Sequence, residues 1–350
     1  MNTKINMVDE KKLDKDIIGE AGKIIREGGL VVFPTETVYG LGANALDPKA
    51  VKKIFEAKGR PQDNPLIVHI WNIDQIKTLV HDVPDIAYKF MEKFWPGPMT
   101  LILPKSDVIP DVTSASLPSI GIRMPSNVIA KEFIKSSGVP IAAPSANISG
   151  RPSPTDVERC IEDLNGKVDF ILGGEMCQVG VESTVIDCTV TPSCVLRPGG
   201  ITLEMLREVD KKAYIDPAVM KKPDKNIKPK APGMKYRHYA PKAPVKIIKG
   251  DLKKTVAKIN EMVQNYIDEN KAVGIIATDE TKDFYKNGLV ISIGSRSNMF
   301  SVSKNLFETL RCFDDKKVDI ILSEAFEEKG MGVAVMNRLN KSAGFNIIRV

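Results

Sequence analysis

Long apolar runs are missing from this 350-residue chain, and no stretch approaches the ~18 residues that a membrane-spanning helix needs. The first residues, MNTKINMVDEKKLDKD, are charged and lack the apolar centre of a secretory signal. The five cysteines (Cys160, Cys177, Cys188, Cys194, Cys312) form no C-x-x-C pair, and the three histidines (His69, His81, His238) stand far apart. Neither a disulfide framework nor a zinc site is therefore expected, and the thiols read as buried and reduced. G-x-x-x-x-G-K-S/T, H-E-x-x-H and G-x-S-x-G are all absent, and no G-x-G-x-x-G follows a strand. What remains is a soluble globular composition, 43% hydrophobic and 27% charged, long enough for two domains and expected in the cytoplasm.

The formal charge of +6 is unevenly placed. Between Asp210 and Lys242 ten Lys/Arg face three Asp, a net of +7, so the rest of the chain sums to −1. That balance argues against a distributed nucleic-acid-binding surface. The same stretch is rich in proline and lysine without an apolar period, and it reads as an extended linker over 209–243. It divides the chain into a first domain at 9–208 and a second at 244–350. In the first, an amphipathic helix carrying Leu13, Ile17, Ala21, Ile24 and Ile25 precedes a buried strand, LVVF. Further strands (PLIVHI, MTLILP, SIGIRMP, VPIAAP, VDFIL, STVIDC, SCVLRP) interleave with helices, several adjoining directly, which predicts a mixed twisted sheet. The second domain alternates strand and helix regularly, which predicts a small parallel α/β layer fold.

KGRPQDNP (58–65) is first of all a competent helix stop: a cation in the last turn, glycine after it, proline beyond. Yet Val51, Ile54, Phe55 and Lys58 stand at i, i+3, i+4 and i+7, so the lysine lies on the buried face. It must snorkel, pair, or face a polar cavity. Arg60 adds a planar fork suited to phosphate or carboxylate. PTETVYGLG (34–42) places the hydroxyls of Thr35, Thr37 and Tyr39 at a strand end, as either a binding loop or a plain turn. APSANISGRPSPT (143–155) does the same with Ser145, Asn147, Ser149 and Ser153, in a loop able to cradle phosphate or simply to enter a helix. Arg123 and Arg197 each close an apolar strand, where an arginine needs an anionic partner, from a ligand or an internal acid. His69, in LIVHI, faces away from Val68; a hydrogen-bonded core histidine is its plain reading. Together these strand ends describe a cationic, donor-rich cleft fit for a nucleoside triphosphate and a small carboxylate.

PTETVYGLG, the K-x-R of Lys58 and Arg60, NPLIVH, WPGPMTLIL, GIRMP and the S-x-N of Ser145 and Asn147 resemble the YrdC-like family. PGMKYRHYAP in the linker and the α/β tail are similar to its two-domain form, so the resemblance covers roughly 10–350. The resemblance implies a twisted open α/β sheet with a large central cavity, joined to a Rossmann-like C-terminal domain. It implies a nucleotidyltransferase that condenses ATP, L-threonine and bicarbonate or CO2 into L-threonylcarbamoyladenylate and pyrophosphate. That is the first step in forming threonylcarbamoyladenosine in ANN-decoding tRNAs. Carried over by position, Lys58, Arg60, Asn64, Ser119, Ser145, Asn147, Ser153 and Arg197 would contact the nucleotide, Lys58 and Arg60 being catalytic. Tyr236, His238 and Tyr239 would close over the nucleotide as part of a lid formed by the linker. Thr37, His69, Arg123, Ala143 (through its backbone) and Ser183 would hold threonine. Mg2+ is expected on the ATP phosphates, with no protein metal site. The product would pass to a tRNA threonylcarbamoyl transferase complex, with only weak or indirect tRNA contact and no membrane. The rivals are a carbamoyl-phosphate-using YrdC-like domain, whose companion zinc-finger cysteine pairs are missing here, and an RNA-binding or ribosome-associated module, which the charge count disfavours.

Overall fold

The computed structural model describes residues 2–222 and 238–350. Contacts divide them into a first unit (2–149 and 153–219) and a second (150–152, 220–222 and 238–350). The first is built on one sheet of eleven strands: β1 (Lys4–Met7), β2 (Val31–Phe33), β3 (Gly40–Asn44), β4 (Ile67–His69), β5 (Met99–Pro104), β6 (Ser119–Arg123), β7 (Ile141–Ala142), β8 (Phe170–Gly173), β9 (Thr184–Asp187), β10 (Cys194–Arg197) and β11 (Tyr214–Ile215). Their order is β1-β8-β2-β3-β7-β4-β6-β5-β9-β10-β11. Parallel pairs such as β4–β6 alternate with antiparallel ones such as β5–β6. The expected mixed sheet is thus present.

Eight helices accompany it among the described residues: α1 (Lys15–Arg26), α2 (Pro48–Lys58), α3 (Ile76–Leu79), α4 (Asp85–Phe94), α5 (Asp111–Ser114), α6 (Val128–Ser137), α7 (Val157–Leu164) and α8 (Leu203–Arg207). One apolar cluster gathers Val51, Ile54 and Phe55 of α2, Phe90 of α4 and Val68 and Ile122 of the sheet. Another joins Ile18 and Ile25 of α1 to Phe133 of α6 and Phe170 of β8. Because strand side chains alternate faces, Val68 and Ile122 point into the first cluster. His69 and Arg123, register partners across β4–β6, share the opposite face with Thr100, which pairs with Arg123 across β5–β6.

The second unit carries β12 (Val245–Lys249), β13 (Val273–Ala277), β14 (Leu289–Ser292), β15 (Ile320–Glu324) and β16 (Ile347–Arg349), with α9 (Leu252–Asp268), α10 (Met299–Asp315) and α11 (Met331–Ser342). Its strand order, β14-β13-β15-β12-β16, is parallel throughout, the doubly wound layering expected of this half. At the carboxyl end of β15 the buried Glu324 accepts from Thr281 and Tyr285 and pairs with Arg296, which ties the loops after β13 and β14 to the end of the central strand.

Four boundaries differ from expectation. The first domain starts before residue 9, because Lys4–Met7 pairs with β8 as an edge strand. Most of its side chains are exposed, so it shows no apolar alternation, and backbone hydrogen bonds hold it. The linker begins later than 209: Tyr214–Ile215 extends the first sheet beside β10, and Ala213 is buried there. At the other end Tyr239 and Ala243 are already buried, in the second unit. Part of PTETVYGLG is not loop, since Gly40 starts β3.

Candidate functional site

Helix α2 is capped as its sequence dictates: the Asp47 side chain accepts from the Lys49 amide, Pro48 opens the first turn, and Gly59 ends it in the left-handed region at φ 60°. Lys58 is 2% exposed. Its ammonium donates to the backbone carbonyls of Ser145 and Asn147. In return the Ser149 amide donates to the Lys58 carbonyl at 2.9 Å. Within the loop the Ser145 hydroxyl donates to Asn147 Oδ1 at 2.5 Å, and the Ile148 amide donates to the buried Asp163 carboxylate at 3.2 Å. K-x-R and S-x-N therefore form one knot. Arg60 is half-buried, and its Nη2 makes long contacts, 3.4 Å each, to the carbonyls of Asn64 and Pro65.

A second group lies along β4 and β6, with His69 and Arg123 on the sheet face opposite the first cluster. Asn64 precedes β4 and Ser119 opens β6, while His69 and Arg123 close the same two strands. Ser119 and Arg123 are four residues apart, about 13 Å by the rise of a strand. Residues assigned to the nucleotide and to threonine thus take opposite ends of these strands. His69 is buried, with Phe33 edge-on at 6.0 Å between ring centroids. Burial first, and the Arg123 guanidinium second, pull its pKa down to about 3 against a weaker opposing pull from the carbonyls of Ile67 and Ile141. The imidazole is neutral at pH 7. Its Nδ1, like Asn64 Oδ1, is a buried polar atom with no protein partner among the described residues.

Arg123 does have an internal acid: its Nη2 pairs with Glu36 Oε1 at 2.7 Å, and its Nε donates to the Gly97 carbonyl at 3.4 Å. Arg197 instead clasps Ser183, its Nε on the carbonyl and its Nη2 on Oγ, each at 3.0 Å. Thr100 Oγ1 lies 2.8 Å from the same Ser183 hydroxyl. A residue assigned to the nucleotide and one assigned to threonine are thereby coupled. Thr37 is buried with its hydroxyl 2.8 Å from that of Thr35. Ser153 donates to Glu182 at 2.6 Å. The Ala143 amide is already bonded to the Ile67 carbonyl at 2.9 Å, so only its own carbonyl could serve a ligand.

Other expectations fare differently. Tyr39 is turned into the core, its hydroxyl donating to the Gly174 carbonyl at 3.0 Å and accepting the Gly174 amide at 2.9 Å; burial drives its pKa up, so it is not a site hydroxyl. Tyr236 lies outside the described residues. His238 and Tyr239 belong to the second unit, where Tyr239, at φ 64°, stacks on Phe307 with centroids 5.0 Å apart and Arg338 lies over its ring. Sequence reasoning missed Glu36, Thr100 and Glu182. For Glu36 a signal existed: it is a lone acid in a loop of buried residues, in a chain with two strand-end arginines that needed partners.

Comparison with known proteins follows this geometry. A family model described as telomere recombination, covering Sua5, YciO and YrdC proteins, matches residues 23–199. A second, described as the threonylcarbamoyl-AMP synthase C-terminal domain, matches 201–344. Threonylcarbamoyl-AMP synthase of Pyrococcus abyssi is 50% identical over 94% of this chain and 95% of its own length. That of Bacillus subtilis is 45% identical over 99% and 98%. The crystal structure of P. abyssi Sua5 complexed with L-threonine superposes with a TM-score of 0.94 at 48% identity, covering 99% of this chain and all of that one. The chain belongs to the threonylcarbamoyl-AMP synthase family.

Proposed function

We infer that the chain condenses ATP, L-threonine and bicarbonate or CO2 into L-threonylcarbamoyladenylate, releasing pyrophosphate and, when bicarbonate is the carbon source, water. Family membership and the threonine-bound relative support the reaction and the amino acid. The observation that carries the reading for this chain is buried polar capacity left without a protein partner around β4. Asn64 Oδ1, just before the strand, and His69 Nδ1, at its end, are two such atoms, and beside His69 the Nη1 of Arg123 makes no hydrogen bond among the described residues. Buried polar groups are nearly always satisfied, so such a set calls for a ligand.

In this reading Arg123 grips the threonine carboxylate through charge-assisted hydrogen bonds. The uncharged His69 offers an acceptor beside it without attracting a second anion. Threonine's amine and CO2 form a carbamate, an anion that must reach the anionic α-phosphate. Lys58, Arg60 and Arg197 lower that repulsion and stabilise the departing pyrophosphate. Positioning and charge carry the rate, and no protein nucleophile is needed. Among the described residues no group of three or more His, Cys, Asp or Glu is arranged to hold a metal. Mg2+ enters as part of the substrate, on the triphosphate. The adenylate then feeds the threonylcarbamoyl modification of tRNA adenosine through a separate transferase, in the cytoplasm. No helix among the described residues is long and apolar enough to cross a membrane.

The test is incubation with ATP, labelled bicarbonate and each amino acid in turn. Threonine-dependent pyrophosphate and a labelled adenylate are expected; pyrophosphate release indifferent to the amino acid would overturn the reading.

A further inference from the structure

The buried pair between Glu36 and Arg123 has features that a structural salt bridge alone does not need. Glu36 is 9% exposed and Arg123 4%. Glu36 Oε1 accepts from Arg123 Nη2 at 2.7 Å, and Oε2 accepts the backbone amide of Ser126 at 3.2 Å. The Glu36 carbonyl in turn accepts the Val179 amide at 2.8 Å. The carboxylate is thus pinned on both oxygens, with its own backbone anchored to a third segment. On the other side, the guanidinium is held at Nε by the Gly97 carbonyl and at Nη2 by Glu36. The 2.7 Å pair with Glu36, more than the long contact at Nε, restrains the guanidinium. Its remaining edge, at Nη1, has no protein acceptor among the described residues, and it lies on the sheet face that also carries His69. A guanidinium presents five N–H groups in a rigid fork, so fixing two of them sets the direction of the rest. Without Glu36 the buried cation would also stand uncompensated whenever the site is empty.

We propose that Glu36 is the positioning residue for amino-acid recognition: it fixes the Arg123 guanidinium so that its Nη1 edge meets the substrate carboxylate, and it balances that charge before substrate arrives. The proposal rests on the reading of Arg123 as the carboxylate-binding group. Glu36 touches no reacting atom. It acts on one substrate only, because among the described residues neither it nor Arg123 hydrogen-bonds or ion-pairs with Lys58, Arg60 or the S-x-N loop.

The experiment measures KM for threonine and KM for ATP separately in the full-length chain, for Glu36→Gln, Arg123→Ala and the double variant. Glu36→Gln should raise KM for threonine by about 10- to 100-fold, the worth of one oriented charge-assisted contact, with KM for ATP unchanged within about twofold. In the Arg123→Ala background the same change should add less than about threefold, since nothing remains to orient. Equal effects on both substrates, or full additivity in the double variant, would show a merely structural acid and overturn the proposal. If Arg123→Ala itself leaves the threonine KM untouched, the reading of Arg123 fails first. If only Glu36→Gln is silent, the proposal alone fails. Should Glu36→Gln not fold, Glu36→Asp keeps the charge but draws it back, and it should give the same threonine-only rise. A normal threonine KM in Glu36→Asp would count against the proposal.

Discussion

Lys58→Met separates two tasks that the family resemblance runs together. The side chain is fully buried, and its ammonium donates to the carbonyls of Ser145 and Asn147. Methionine keeps the apolar stem and removes both bonds, leaving two carbonyls short of a donor. At about 1.5–3 kcal/mol for each bond to a charged group, the first unit should lose roughly 3–6 kcal/mol, a large part of the ~5–15 kcal/mol that holds a typical domain. Both tryptophans, Trp71 and Trp95, lie in the first unit, so their fluorescence reports its unfolding alone. With a urea dependence of about 2 kcal/mol per molar, the midpoint should fall by roughly 1.5–3 M. Arg60→Ala is the comparison: the contacts of its Nη2 to Asn64 and Pro65 are long, at 3.4 Å, and a smaller loss than in Lys58→Met is expected. Both variants should lose threonine-dependent pyrophosphate release. A Lys58→Met protein as stable as the wild type would refute the argument that this lysine knots helix to loop, and full activity in either variant would refute the phosphate role.

Other outcomes follow from the same geometry. His69 has a folded pKa of about 3, below its ordinary ~6.5; the unfolded chain therefore binds the extra proton first as pH falls. Its contribution to stability is complete above pH ~6.5 and declines toward pH 3, by about 2 kcal/mol at pH 5. The stability gap between wild type and His69→Gln should narrow by that amount from pH 7 to 5, and a constant gap would contradict the neutral imidazole. Arg197→Lys cannot hold both the carbonyl and the hydroxyl of Ser183. It should raise KM for threonine and for ATP alike, and steady-state kinetics showing one substrate untouched would break that coupling. Cys160, Cys177, Cys188 and Cys194 are buried, and burial pushes the thiols of Cys177 and Cys188 above their usual range. A thiol reagent at pH 8 should label at most Cys312 in the native protein, and rapid labelling of two or more would contradict this packing.

The sequence made some of this legible and hid the rest for identifiable reasons. Lys58 could be placed inside from its i, i+3, i+4, i+7 company, and Gly59 as the stop, because helical period and capping are local. His69 could be assigned to the face opposite Val68 by the period of two. What the lysine bonds to could not be read, since Ser145 and Asn147 lie 87 and 89 residues away in sequence. Tyr39 was misread for a similar reason: its partner, Gly174, is 135 residues on, and only the fold shows the hydroxyl turned inward. Lys4–Met7 was invisible because an edge strand with exposed side chains carries no apolar signal. Arg123 was recognised as a cation needing an anion, but the sequence left an internal acid and a ligand equally open.

In the structure those two alternatives for Arg123 prove compatible. Glu36 occupies Nη2 and leaves Nη1, so an internal acid and a ligand carboxylate can share one guanidinium. A lone arginine facing a cavity would relax toward any nearby carbonyl, whereas one held by an anchored acid keeps a fixed free edge. The same logic governs the other end of β4. Lys58 is tied to two carbonyls, so its charge stays beside the S-x-N loop whether or not phosphate is present. In the proposed reaction both substrate ends would meet a buried cation whose position is set by protein partners. Preorganised charge of this kind needs no rearrangement when the carbamate approaches the phosphate. In that reading a chain whose net charge outside the 210–242 stretch is −1 would still hold two anions, because the cations that meet them are directed by protein partners.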